Sequence, residues 1–399
     1  MRIGIIGCGI TGSVIAKLLK KEKFVSEIVC FDRNIEKVKK FLGGGFDIKK
    51  INARSKKDLH SNIKNFDLVI NALPTHFRWR GHDILYNIKV IEAALEAGIN
   101  YLDMACYGND KNYTPETLAF NEKFEKEKLL GLINTGASPG LTNIMVSKSA
   151  SEVDLVDSVK IRNLEEQKGS EFIISWSKDD LFEIVSKALV YRKGKFKFKE
   201  PFSEVEVYEF PPPFGKLYCY LLSHDEAYTL PHYIKMKNLD IKAAGSDIET
   251  LRTFYRLGFF KNKPTKIKKV NILPRDFLYS IIPSAHTGNQ IKKMMEKGIF
   301  ENGFFGCFTE VYGYLKNKKI LAKKYVIFPS QKEVNKLLPN ATYISYPAGL
   351  CVVAFIKFSF RRRIYGVIPP EALAIKIIDR IFEWLEKNNV IINEEYKAI

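Results

Sequence analysis

Three glycines, one acid and two clusters of polar residues carry the chemistry legible in this chain. Gly7-Cys8-Gly9-Ile10-Thr11-Gly12 follows directly on the short run Arg2 to Ile6. In that spacing Gly7 allows a tight turn, Gly9 lets a pyrophosphate approach the backbone, and Gly12 lets a helix lie close on a strand. With Ile10 and Thr11 between them, the helix N-terminus offers unpaired N–H groups to phosphates. Asp32 stands 20 residues after Gly12 and can hold a ribose diol. Asp103 and Tyr107, four residues apart, offer a carboxyl and a phenol for proton transfer. Ser138 to Asn143 spans a turn into a helix whose N-terminus suits a substrate carboxylate. Trp176, His224 and Arg252 are candidates for a substrate wall.

These residues need elements to hold them. Ile3 to Ile6 reads as a strand buried on both faces, and Val14, Ile15, Leu18 and Leu19 as the inner face of a helix. A second strand, Ile28 to Phe31, ends at Asp32; a third, Ile48 to Ile51, closes at Asn52-Ala53, and a polar helix runs over 57–64. The apolar strand from Asp67 ends in Asn71-Ala72-Leu73-Pro74, where the chain would pass a nicotinamide. Residues 75–83, with two histidines and no partner at ligand spacing, read as a lid or solvated loop, without a metal. A helix over 84–97 stops at Gly98, and a strand over 101–104 delivers Asp103 and Tyr107 to the carboxyl edge of the sheet. Thr114 opens a helix to Lys128, and Leu130 to Asn134 is the next strand.

Near residue 155 the pattern turns to alternating strands: 156–162, 171–176, 196–199, 204–210, 217–222 and 266–273, with a hairpin of 311–315 and 323–328. Helices are expected over 178–187, 248–257 and 290–297, and an amphipathic one over 370–388. Leu350 to Ile356 is a buried strand or helix. The fold class is α/β: a doubly wound Rossmann sheet over 1–140, then an α+β domain with a mixed sheet over 141–345, and a C-terminal segment over 346–399.

With 399 residues, 46% of them hydrophobic, the chain can bury large cores. No apolar run reaches the roughly 18 residues of a membrane span, and the N-terminus is itself a strand, leaving no room for a signal peptide. Six scattered cysteines without a C-x-x-C pair fit reduced thiols in the cytoplasm. The net charge of +18 is spread along the chain, which argues against nucleic acid and favours attraction of anionic cofactor and carboxylates.

In order and spacing the motifs resemble the saccharopine dehydrogenase-like family, with its lysine dehydrogenases and, more distantly, its carboxynorspermidine and homospermidine enzymes. The matching stretches are Gly7 to Gly12, Asn71 to Pro74, Asn100 to Tyr107, Gly136 to Asn143, Ser175 to Ser177, Val190 to Lys195, Thr229 to Pro231 and Tyr365 to Glu371. The resemblance implies a nicotinamide-dependent oxidation of an amine to an imine, or its reverse, on an amino-acid substrate of the lysine or saccharopine type, or on a polyamine. It also implies a homodimer formed through the middle domain and a C-terminal return to the first domain. Saccharopine-forming members carry Asp where this chain has Ser138, His where it has Asn143, a middle-domain Cys that is not evident here near Arg162 to Leu164, and a basic Arg-Gly-Thr-Leu-Arg stretch of which this chain, in Gly245 to Arg252, keeps one Arg at most. Those departures argue against saccharopine itself. A dinucleotide sensor without turnover and a synthase joining two amines are the competing classes. For the cofactor, Asp32 favours NAD, while Arg33 could serve the extra phosphate of NADP.

Overall fold

The computed structural model describes residues 1–79, 82–174 and 177–399. Six strands of the first sheet come early in the chain: β1 (Arg2–Ile6), β2 (Glu27–Asp32), β3 (Asp47–Lys50), β4 (Leu68–Asn71), β5 (Asn100–Asp103) and β6 (Leu130–Leu132). Nine follow in a second region: β7 (Leu155–Gly169), β8 (Ala188–Arg192), β9 (Lys195–Lys199), β10 (Val205–Phe210), β11 (Gly215–Leu221), β12 (Asn238–Ala244), β13 (Phe300–Leu315), β14 (Lys318–Ile327) and, after β15 (Gly366–Ile368), β16 (Asn393–Ala398). The first sheet is wholly parallel in the order β15-β6-β5-β4-β1-β2-β3. Ile3 and Ile5 face one core and Ile6 the other, because successive side chains alternate and helices cover both faces.

The second sheet is mixed. Its long central strand β7 runs parallel to β12 and antiparallel to β13, and β16 forms the edge beyond β14. The segment after residue 345 therefore serves both sheets: β15 extends the first and β16 the second.

Helix α1 (Ile10–Leu19) follows β1, and α2 (Tyr86–Ala97) precedes β5, ending at Gly98 in the left-handed region with φ +66°. In the second region α3 (Leu141–Ala150), α4 (Lys178–Ile184) and α5 (Ser246–Arg256) lie beside the sheet, and α6 (Ser345–Ser359) and α7 (Ile375–Glu386) return toward α1. Helix α6 resolves the ambiguous apolar run as helix. It is buried on nearly every side, between α1 and α7, which is why its sequence shows no polar face.

Several expectations are corrected. Where a loop is expected over 75–83, His76–Trp79 pairs antiparallel with His82–Leu85; alternating aromatic and β-prone residues favour that form. The helix expected from Thr114 is broken: Thr114–Pro115 pairs with Gly108–Asn109, a 3-10 turn covers Glu116–Phe120, and α-helix spans only Asn121–Lys126. Glu116 accepts from the Tyr107 N–H at 2.8 Å, which draws this segment back against the strand exit. No strand forms over 171–174; Ile173 N–H instead donates to the Gln167 side chain at 2.9 Å. The expected strand over 266–273 is two short ones, Thr265–Ile267 and Val270–Ile272, folded on each other.

Gly349 sets the distance between α1 and α6. A Cβ there would stand 2.7 Å from Val14 Cγ1. Gly349→Val should therefore destabilise the protein by about 1–3 kcal/mol, the usual cost of overpacking. A urea titration should show a lower midpoint with an unchanged slope; an unmoved midpoint would mean the helices can part without cost.

Candidate active site

Where β1 meets α1, Gly7 adopts φ +90°, and a Cβ on it would meet the Ala72 carbonyl at 2.8 Å. Gly12 passes so close to the Gly7 carbonyl that any side chain would collide with it. Gly9 differs: nothing lies within 4 Å of its missing Cβ, so it borders open space. The N-terminus of α1 has no side-chain cap, which leaves its first N–H groups for a ligand.

That open space is one large cavity of about 890 Å³. Gly7, Gly9, Ile10, Thr11, Asp32, Arg33, Ala53 and Asn71 to Pro74 all line it. The Asp32 carboxylate accepts from the Asn34 N–H at 2.9 Å, which fixes it at the end of β2, with Arg33, Lys37 and Arg54 around the same lip. Asn71 donates to Asn87 at 2.7 Å, and Asn87 donates to the Ala105 carbonyl at 2.9 Å. This chain of amides ties the exits of β4 and β5 together. The uncapped N–H groups, the bare Gly9 and the acid at the lip fit a nicotinamide dinucleotide, which supplies a hydride acceptor when bound.

Asp103 and Ser138 also border the cavity. Both oxygens of Asp103 are engaged, however: Asn134 N–H donates to one at 2.8 Å and the Tyr101 hydroxyl to the other at 2.9 Å. Burial pushes this carboxyl up to about 7, against the pull of those two donors. Ser138 donates to Glu226 at 2.6 Å and accepts from Asn163 at 2.8 Å.

The structure does not bring Tyr107, Asn143 or Arg252 to the cavity. Asn143 is buried, accepting from Gly140 N–H and donating to Thr229 and Glu371. Arg252 lies over the Tyr220 ring, 4.6 Å from its centre, and pairs with Glu249. Trp176 lies outside the described residues. His224 does border the cavity.

Sequence reasoning missed the acids on the cavity wall opposite in chain order to the glycine loop. Asp179, Asp180 and Glu183 of α4, with Asp225 beside His224, line it. Burial pushes Asp180 up to about 6 and Glu183 up to about 7, and raises Asp225. Ser177-Lys178-Asp179-Asp180 reads in sequence as an ordinary capped helix start, and Ser177 does accept from Asp180 N–H at 3.1 Å. The run His224-Asp225-Glu226 was the signal available. Among the described residues no group of three or more His, Cys, Asp or Glu could hold a metal ion.

Because Gly9 faces open space, Gly9→Val should fold normally and fill the place of the phosphates. Dinucleotide affinity should fall at least tenfold, about 1.4 kcal/mol, by fluorescence titration. Affinity within a factor of two of wild type would remove Gly9 from the binding site.

Two stretches of the chain match known families. Residues 3–131 match the saccharopine dehydrogenase NADP binding domain and residues 136–391 the saccharopine dehydrogenase C-terminal domain. A carboxynorspermidine synthase of Vibrio cholerae serotype O1 is 24% identical over 308 residues, 70% of this chain and 72% of that protein. A carboxyaminopropylagmatine dehydrogenase of Synechocystis sp. is 24% identical over 306 residues, 71% of this chain and 72% of that protein. The apo saccharopine dehydrogenase (L-Glu forming) of Saccharomyces cerevisiae shares the fold, with a TM-score of 0.69 at 12% identity over 100% of both chains. The parallel first sheet with its glycine turn is thus an NAD(P)-binding domain, and the chain belongs to the saccharopine dehydrogenase family.

Proposed function

We propose that this protein is an NAD(P)-dependent oxidoreductase interconverting an amine and an imine, on a small substrate with more than one positive charge, such as a carboxylated polyamine. The observation that carries this reading is the wall of Asp179, Asp180, Glu183 and Asp225 in the same cavity as the glycine loop. Carboxyls clustered on a partly buried wall favour a cation, and a bound ammonium adds to the nearby charges of Lys178 and Arg275. Two relatives bear polyamine-related names, carboxynorspermidine synthase and carboxyaminopropylagmatine dehydrogenase. A tricarboxylate of the saccharopine type fits this wall less well, since Arg252 packs on Tyr220 instead.

The same reading includes NAD as the preferred cofactor, with Asp32 accepting from the ribose and repelling an added phosphate. It also includes a cytoplasmic setting, in keeping with six free, buried thiols, and a homodimer formed through the second sheet. Val207 and Tyr218, paired across β10 and β11 and each 58% exposed, offer apolar surface there. A monomer at micromolar concentration in sedimentation velocity would reject the dimer.

The deciding experiment follows nicotinamide absorbance with lysine, saccharopine and carboxylated polyamines, each with both cofactors. Turnover should be fastest with the polyamines. Cofactor binding without turnover on any of them would make the protein a sensor, and conversion of two amines with no net redox change would make it a synthase. Asp32→Ala should shift preference toward NADP by about 1–3 kcal/mol. Tight NADP binding with little NAD binding in the wild type would hand the choice to Arg33.

A further inference from the structure

We propose that His224 is the group that exchanges the proton of the substrate nitrogen, with Glu226 and Asn163 as its positioning residues; this rests on the amine–imine reading above. His224 borders the cavity while only 10% of its side chain is exposed. Its two ring nitrogens face different partners. Nδ1 lies 3.7 Å from Glu226 Oε2, and Nε2 lies 3.5 Å from Asn163 Nδ2. A proton on Nδ1, toward the acid, leaves the Nε2 lone pair as the ring's acceptor.

Glu226 is built for this task. It is fully buried, and its Oε1 accepts from Ser138 at 2.6 Å and Thr142 at 2.7 Å. Its Oε2 has no hydrogen-bond partner among the described residues. A buried carboxylate oxygen left without a donor is costly, and imidazolium beside it removes that cost. Asn163 is held in turn, since its amide donates to Ser138 at 2.8 Å. Ser138 thus braces both positioning residues.

In the oxidative direction the substrate ammonium, R2CH–NH2⁺–R′, gives one N–H proton to Nε2 and becomes the neutral amine. Its α C–H bond then breaks, the hydride leaving with both electrons to the nicotinamide acceptor. The nitrogen lone pair closes the C=N bond, which leaves an iminium. In reverse, the imidazolium returns its proton to the amine nitrogen as the product forms. Burial lowers the pKa of His224 and the Glu226 charge opposes that shift; the net direction favours the neutral ring that accepts a proton.

Other titratable groups share this space and could imitate the histidine. Asp103, Lys178, Asp179, Asp180, Glu183 and Asp225 line the cavity, while Cys307 and Glu371 feel the charge of Glu226. Glu116 acts on Asp225 through its charge. The test must therefore separate His224 from carboxyls that burial places near neutrality.

The experiment compares wild type, His224→Gln and Glu226→Gln, each first shown to bind reduced cofactor normally. The rate of amine oxidation in wild type should fall as pH drops through the His224 pKa. His224→Gln should lose at least ~100-fold in rate and lose that limb, with free imidazole restoring part of the rate to His224→Ala. Glu226→Gln should move the limb to lower pH, because the charge that favours imidazolium is gone. A limb that persists in His224→Gln belongs to a carboxyl and overturns the proposal. The six histidines of the chain also allow a direct reading by NMR of 13C-labelled rings in the cofactor-free protein. Assigned by its absence in His224→Gln, the ring should titrate lower in Glu226→Gln than in wild type. An unchanged ring pKa overturns the pairing even if no amine is oxidised, an outcome that would defeat the amine–imine reading instead.

Discussion

A buried carboxylate is tolerated only when donors surround it, and here that constraint holds the two sheets together. Glu226, from the loop after β11, takes hydroxyl hydrogen bonds from Ser138 and Thr142 at the start of α3. Around it, Asn143 donates to Thr229 and Glu371, and Cys106 N–H donates to Asp225 at 3.0 Å. Thr75, past the end of β4, reaches Glu183 of α4 at 3.2 Å. The bonds of Ser138, Cys106 and Thr75 each join a loop at the carboxyl edge of the first sheet to the second region. The cavity exists because these pairs close its sides, and breaking one would leave a buried acid with too few donors.

The same constraint gives the site its chemistry. Carboxyls that must stay ionised in a dry environment are expensive, so burial lifts Asp103, Asp180 and Glu183 toward neutrality. Asp103 shows why a shifted carboxyl is not by itself a catalyst. Tyr101 and the Asn134 N–H occupy both of its oxygens, so it anchors the strand exit. His224 stands in the opposite situation: its ring meets the cavity, and its Nε2 has the Asn163 amide at a long 3.5 Å. Geometry, more than the direction of a shift, separates the two.

The first sheet was legible because a buried parallel strand has a simple signature: a short apolar run, then a turn. The glycine loop, Asp32 and Asn71 to Pro74 all border the cavity, since backbone placement at strand ends is local information. What could not be read depended on distant partners. Tyr107, Asn143 and Arg252 sit in suitable sequence contexts, yet a long-range contact claims each segment: Glu116 for the Tyr107 N–H, Glu371 for Asn143, Tyr220 for Arg252. The α4 acids were hidden by the reverse effect, an ordinary helix start that tertiary packing turns toward a cavity. Over 171–174 no strand forms, because the Gln167 side chain takes the Ile173 N–H.

Charge is distributed on two scales that act differently. The chain carries +18, spread over its surface, whereas the second region puts four acids on the cavity wall. At physiological salt the screening length is about 8 Å, so the surface charge acts on an approaching molecule mainly as a mild preference for anions. That suits a dinucleotide entering at the lip of Arg33, Lys37 and Arg54. Inside, the acids act at short range and favour cations. On the proposed reading, a substrate bearing both a carboxylate and several ammonium groups is drawn by the outer field and sorted by the inner one. A purely anionic substrate would satisfy the first and meet repulsion at the second, which is why the wall of α4, more than the overall charge, decides what is oxidised.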